Sequence, residues 1–425
     1  MQEVNFRMYL FTGRGVDLPQ EKNPSLQEEI RAVHPGPLVE VPLYTLGKTQ
    51  LELQVRVGET VQKYAPLAVS PSRNHAIVAP CTGTLLGVKT RVHPLLGKAP
   101  CAQIAPDPQE KHARIRSQWE RDLDFEGLVR IAKAAGIVDE CDGMPLYRKL
   151  RALRTNGEHL LVGSALDDDP YITSGMASLL WRGADVAKGL ELLDLCAPRA
   201  IRLIAVYDPG SCRALNALPK RIRDTEVIRV RGKYPVWPAL QTKWRGQKIQ
   251  RFGVQALCAL SRAVYRGEAM TDVLLTVAGN AVKRPCNLIA PVGTPIRRLL
   301  EECGTREYYW LCAGNSMTGV SIEDPDTPVT AGMRGIVALN RRPWMKSYSC
   351  IGCGRCIRVC PQKLMPCYIA QLCERGEWEE AGRYGAGDCI GCGACSAGCP
   401  SGIELSAIVG RAVPGRSYHE EWGKS

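Results

Sequence analysis

Eight cysteines near the C-terminus have the types and spacing to do chemistry. They fall in two runs, Cys350-Ile-Gly-Cys353-Gly-Arg-Cys356-Ile-Arg-Val-Cys360-Pro361 and Cys389-Ile-Gly-Cys392-Gly-Ala-Cys395-Ser-Ala-Gly-Cys399-Pro400. Both follow C-x2-C-x2-C-x3-C-P, the spacing that holds cubane iron–sulfur clusters, in which the fourth Cys reaches the other cluster. The rule assigns Cys350, Cys353, Cys356 and Cys399 to one [4Fe–4S] cluster, and Cys389, Cys392, Cys395 and Cys360 to a second. Gly352, Gly354, Gly391 and Gly393 let the backbone close on the sulfides and donate N–H bonds. Zinc uses pairs of ligands rather than four Cys per run, and structural disulfides belong to oxidising compartments. The runs agree at eight of twelve positions, which makes them an internal repeat. The chemistry they imply is one-electron transfer.

A chain of 425 residues has room for several domains with ample core. It holds 19 Cys; the eleven outside the runs, Cys81, Cys101, Cys258 and Cys312 among them, read as small buried apolar residues. The odd total and the oxygen-sensitive motif point to a reducing cytoplasm. Residues 1–20 lack a signal-peptide pattern, and no apolar stretch approaches the length of a spanning helix. The expected location is cytoplasmic, or peripheral at the inner face of the cell membrane. The net charge of +12 admits several anionic partners, but few aromatics interleave the basic residues, so nucleic acid is disfavoured. From Thr327 to Cys373 there is no Asp or Glu, while Arg334, Arg341, Arg342, Lys346, Arg355, Arg358 and Lys363 are basic. That stretch either neutralises cluster charge or docks an acidic electron carrier.

The elements that must position the runs read as follows. Residues 1–30 look like an extended arm. Short β-type runs fill residues 31–110: Leu51–Val57, Ala76–Val78 and Gly83–Val88, an all-β module resembling half of a lipoyl or biotinyl carrier without its lysine. His75 and His93 are read as ordinary hydrogen-bonded histidines. Residues 120–270 alternate strand and helix, with Leu128–Ala135 helical up to Gly136, strands at Leu160–Val162, Ile201–Val206 and Val227–Val230, and a helical Ile172–Lys188 region. This predicts an α/β layer with a parallel sheet. Residues 271–340 predict an α+β module, with strands Val273–Val277 and Gly335–Leu339 and a helix at Pro295–Cys303. The cluster domain spans 342–412, where an amphipathic helix after Pro366 turns Ile369, Leu372 and Cys373 to the clusters. A tail, 413–425, ends the chain.

With these modules in this order, the chain resembles the RnfC family of the Rnf electron-transport complex, kin to the cobalamin reductase of propanediol utilisation and to proline-reductase-associated carriers. The residues that carry the resemblance are Phe11-Thr-Gly-Arg-Gly-Val-Asp-Leu-Pro19, Asn74-His-Ala76 with Ala79-Pro80 and Thr82-Gly83, Val277–Pro285, Val292–Pro295, Gly314–Gly319 and both Cys runs. It implies a multidomain α/β and α+β protein. The parts would be a barrel-sandwich-like module, a Rossmann-like FMN/NADH-type domain, a β-grasp (SLBB) module and a two-cluster ferredoxin-type domain.

The family's Gly-rich G-I-V-G-x-G-G-A-G-F-P loop reads here Gly136-Ile-Val-Asp139-Glu140-Cys141-Asp142-Gly143-Met144-Pro145. Asp139, Glu140 and Asp142 bring like charge to the expected phosphate, and Cys141 and Met144 bring bulk; three carboxylates facing a phosphate cost several kcal/mol. A carboxylate at a helix start favours the helix itself, so the same residues are also read as capping it and filling the vacated pocket. Three further ligand stretches, Leu166–Gly175, Tyr234–Leu240 and Cys258–Ser261, also depart from the family pattern. The expectation is therefore two [4Fe–4S] clusters without FMN or NADH, relaying electrons between a ferredoxin or flavodoxin and a partner reductase or Rnf-type membrane subunits, with no catalytic residue of its own. The alternatives are an NADH/FMN-dependent reductase of the family's usual kind, and a ligand-binding or assembly module with structural clusters.

Overall fold

A computed structural model describes residues 8–43, 51–71, 75–94, 97–107, 123–157, 160–341 and 346–413. Asn74, Arg342 and all of the tail beyond residue 413 lie outside the described residues.

The central layer is a sheet in the order Met8–Phe11, Thr225–Gly232, Ile201–Tyr207, Leu160–Ala165, Ile249–Gly253, every neighbouring pair parallel. The short Arg221–Ile222 pairs antiparallel with Thr225–Gly232 at its start. Strand Leu160–Ala165 is buried throughout, as expected of a parallel strand covered on both faces. Helices Ser174–Glu191 and Val254–Arg266 pack on this sheet and on each other. The run Val254–Val264, read from the sequence as continuing the strand–helix alternation, is the second of these helices. Gly136 stops the helix Phe125–Ala134 in a left-handed conformation, as its position predicts.

A second, mixed sheet runs Val320–Ser321, Trp310–Ala313, Gly335–Leu339, Asp272–Ala278, Cys286–Pro291, Arg31–Ala32, with helix Ile296–Glu302 beside it. Within the segment expected as an extended arm, Met8–Phe11 adds an edge to the parallel sheet and Asn23–Gln27 is a short helix; Arg31–Ala32, just after it, adds an edge to the mixed sheet. The first module is two small antiparallel sheets, one built on the long hairpin Gly83–His93 with Gly97–Pro106, the other on Glu52–Leu53, Pro66–Val69 and Ala76–Val78. They enclose their own apolar core around Val39, Leu67, Leu85 and Ile104. Only Glu52–Leu53 of the expected strand Leu51–Val57 pairs. The C-terminal unit is a cluster of short helices around Ile369, Leu372, Leu405 and Val409. No helix among the described residues is long and apolar enough to cross a membrane.

Candidate iron–sulfur centres and the sealed crevice

The two Cys runs fold alike. Gly352, Gly354, Gly391 and Gly393 all adopt the left-handed conformation, and each run then enters a short helix, Arg355–Val359 or Ala394–Ala397. The thiols of Cys389, Cys392 and Cys395 line one apolar pocket with Leu364, Ile369 and Val409, and Cys360 of the other run lines the same pocket. Burial pushes the thiol of Cys392 up to about 11 and that of Cys395 up to about 12, and Cys360 and Cys389 add to both rises. Holding these groups as thiolates therefore requires a compensating cation charge.

The first run is more open: Cys350 and Cys353 are exposed, Cys356 is buried, and Cys399 is half-buried. Tyr348 N donates to Ser401 O at 2.8 Å, which holds the start of this run beside the stretch that follows Cys399. The thiols do not converge on a point: among the described residues, no three Cys, His, Asp or Glu are grouped as metal ligands. The pocket of the second run, with four thiols, one of them from the other run, and apolar walls, fits a cubane cluster, and the left-handed turns of both runs free backbone N–H groups to donate.

The second run faces inward, where Tyr234 Oη donates to Cys392 O at 2.8 Å; the far end of the first run is held at the same seam, with Arg14 Nη1 donating to Ile357 O at 2.6 Å and Cys360 O at 3.4 Å. Val16, Tyr234 and Ala394 form a small core with Met317, Val359 and Cys392 at this seam.

The C-terminal edge of the parallel sheet, where open α/β sheets take their ligands, has three helices starting on it. Each start holds a carboxylate of the chain itself. Asp167 Oδ2 accepts from Met176 N at 2.8 Å, in the first turn of Ser174–Glu191. Asp168 Oδ2 accepts from Val236 N at 2.7 Å, at the start of Val236–Lys243. Glu140 accepts from Gln255 N at 2.7 Å and Ala256 N at 3.1 Å, while Asp139 Oδ1 accepts from Gly253 N at 3.0 Å, at the start of Val254–Arg266. A Cβ on Gly253 would lie 2.1 Å from the Glu140 carboxyl, so the glycine that admits close approach admits this side chain.

Buried cations balance the acids. Lys149 Nζ lies 2.6 Å from Asp139 and 2.9 Å from Asp142. Arg334 lies 2.7 Å from Asp167 and 3.1 Å from Asp169, and Lys22 donates to the carbonyls of Asp169 and Ile172. Burial pulls Lys22 down to about 8 against the attraction of Asp167, Asp169 and Asp168. Burial, then Asp139, raises Glu140 to about 7; burial, then Asp169, raises Asp168 to about 6.

The crevice differs from the sequence expectation in detail. Asp139 and Glu140 do sit at a helix start, but at the helix Val254–Arg266 rather than the one that follows their own loop. Asp142 turns to Lys149 and to Met144 N instead. Met144 is 38% exposed and fills nothing. Gly143 is left-handed and closes the turn back on Asp139. At each of these helix starts at least one N–H group that would face a phosphate already donates to a carboxylate of the chain itself.

Two thiol contacts escaped the sequence reading. Burial, then a hydrogen bond with Cys367, pushes Cys356 up to about 11, so a ninth thiol stands at the first cluster site. The Sγ atoms of Cys286 and Cys303 are 3.2 Å apart, and Arg31 Nη2 lies 3.5 Å from Cys286. No spacing signal marks either pair.

Two family models match the chain: the RnfC barrel sandwich hybrid domain over residues 11–109, and a 4Fe-4S dicluster domain over residues 349–403. Among curated proteins the chain is similar to the C subunit of the ion-translocating oxidoreductase complex of Serratia proteamaculans, 29% identical over 402 residues, covering 89% of this chain and 57% of that protein. The same-named protein of Yersinia pestis bv. Antiqua is 30% identical over 397 residues, covering 87% and 63%. The chain spans less than two thirds of the length of these relatives. Among solved structures, an NAD+-reducing [NiFe]-hydrogenase in the air-oxidised state covers 60% of this chain and 54% of its own at 13% identity, with a TM-score of 0.41, too low to carry an argument. The N-terminal module is thus a barrel-sandwich domain, and the two Cys runs form a dicluster domain for two [4Fe–4S] clusters.

Proposed function

This chain is RnfC-like, and on that premise we propose that it is an electron-transfer subunit, relaying single electrons through its two clusters between a ferredoxin-like carrier and a partner reductase. Cys350, Cys353, Cys356 and Cys399 hold the outer cluster, and Cys389, Cys392, Cys395 and Cys360 hold the inner one. The observation that supports this pairing is Cys360, which lines the pocket of the opposite run. The clusters supply one-electron chemistry. The chain supplies the thiolates, the apolar walls that exclude water, and the clamps from Tyr234 and Arg14 that keep the inner site against the α/β domain.

In this reading the α/β domain is a docking scaffold that takes neither FMN nor NADH. The support is the set of internal carboxylates at all three helix starts, since a helix N-terminus binds phosphate through N–H groups that are free to donate. The mixed-sheet module, residues 271–340, serves as an SLBB-like spacer. The protein acts at the inner face of the membrane beside Rnf-type subunits, in keeping with the complex named for its relatives.

The test is anaerobic calorimetry of the cluster-loaded protein with NADH and with FMN, alongside NADH-driven viologen reduction. No binding and no turnover above free flavin is the expected result. Micromolar binding of either ligand would promote the NADH/FMN-dependent reductase in its place.

A further inference from the structure

The two cluster sites differ in what lies over them. The inner one is covered by Val16, Tyr234, Met317 and Val359. The outer one meets solvent through Cys350 and Cys353, with Ile351 between them 70% exposed and Tyr348 64% exposed. The same surface segment carries Lys346, Arg355, Arg358 and Lys363, all exposed. Among the described residues none of these four cations is in an ion pair with a carboxylate, although most half-buried arginines of the α/β domain, Arg202, Arg229, Arg231 and Arg262, are. Arg355 and Arg358 stand one turn apart on the short helix Arg355–Val359. Lys363 occupies a left-handed position, φ +60, where glycine is ordinarily preferred. The result is an apolar centre over a redox site, with unpaired positive charge about it and no acid from Thr327 to Cys373.

Charge and chemistry together select the occupant. An anionic lipid surface would satisfy the cations, but it can neither give nor take an electron, and it would leave the exposed flank of the cluster without use. A protein with an acidic rim and a redox centre near its surface satisfies both. We propose that the surface bearing Tyr348, Ile351, Arg355, Arg358 and Lys363 is the docking face for an acidic one-electron carrier protein, which exchanges its electron with the outer cluster. This rests on the electron-transfer reading above and adds which cluster meets the carrier. In the step itself the reduced carrier loses one electron, the outer cluster gains it and passes it to the inner cluster, and no bond or proton moves.

The experiment is stopped-flow reduction of the cluster-loaded, full-length chain by a reduced, acidic two-cluster ferredoxin across a range of ionic strength. The parent rate constant should fall by about tenfold or more from low to high salt, as for steered association. Arg355→Glu with Arg358→Glu should be slower by about tenfold at low salt and nearly insensitive to salt. Iron content and the EPR of the dithionite-reduced protein must match the parent. Because these residues flank Cys356, Lys346→Glu with Lys363→Glu serves as a second variant, with the same expectation. Unchanged rates in both variants with clusters intact would overturn the docking face while leaving electron transfer standing. So would variants that lose binding to phosphatidylserine vesicles but keep the parent's ferredoxin rates. Clusters that accept electrons from neither ferredoxin nor dithionite would overturn the electron-transfer reading itself.

Discussion

Replacing Glu140 by Gln tests whether the crevice is sealed by a protonated or an ionised group. Glu140 accepts from two amides at the start of the helix Val254–Arg266. Those amides favour the charged form, yet burial, then Asp139, holds the carboxyl at about 7 instead of 4.5. A folded-state pKa above the unfolded value means that the stabilisation is full below the unfolded pKa and is lost as pH rises through the folded one. At about 1.4 kcal/mol per unit, the whole loss is on the order of 3 kcal/mol, most of it between pH 5 and pH 8. Gln has no charge to lose; it accepts from one amide through Oε1 and forfeits the hydrogen bond from the other, whereas the protonated acid can accept both. At pH 5 the variant and the parent should therefore differ by no more than about 1 kcal/mol, and by pH 8 the variant should be the more stable. The assay is anaerobic hydrogen exchange of peptides covering Val254–Arg266, corrected for the intrinsic effect of pH. Relative to the parent, E140Q should gain on the order of fifty- to a hundredfold in protection from pH 5 to pH 8. A variant that loses protection relative to the parent as pH rises would refute the reasoning, because the helix N-terminus would then be holding an anion in preference to the neutral acid.

Three further outcomes are expected. Cys360→Ser should abolish the EPR signal of the cluster held by Cys389, Cys392 and Cys395 and lower iron from about eight to about four atoms per chain; damage confined to the other cluster would show that the fourth Cys does not cross. Lys149→Met strands the buried Asp139 carboxylate, and anaerobic urea unfolding should register a loss of about 3–5 kcal/mol; a loss below about 1 kcal/mol would mean that water reaches the pair. Tyr234→Phe removes the donor to Cys392 O and should cost about 1 kcal/mol in the same unfolding assay while leaving iron content unchanged; iron loss would instead give Tyr234 a part in holding the cluster.

What the sequence by itself determined is what short-range spacing can encode. Each cluster run places its thiols, left-handed glycines and following Pro within twelve residues, so ligand type and turn geometry are set locally. Strand runs such as Leu160–Val162 and Ile201–Val206 announced a parallel sheet for a similar reason, because strands buried on both faces must be apolar throughout. The acids at residues 139, 140 and 142 were legible as hostile to phosphate and as caps for a helix, but which helix and which donors they meet was not. Glu140 finds its donors 115 and 116 residues away, and Asp167 finds Arg334 at a separation of 167. Only packing brings such groups together, and no periodicity or spacing carries that information. The same holds for Met8–Phe11, whose place at the edge of the sheet depends on a partner strand at Thr225–Gly232, and for Cys286 and Cys303, which meet because a strand and the end of a helix pack side by side. Tertiary structure also decided which cluster is inner and which is outer. Two near-identical runs carry equal local instructions, and the difference arises because Tyr234 and Met317 cover the turn of the second run, while Cys350 and Cys353 of the first stay exposed and only its far end, at Ile357 and Cys360, is held by Arg14.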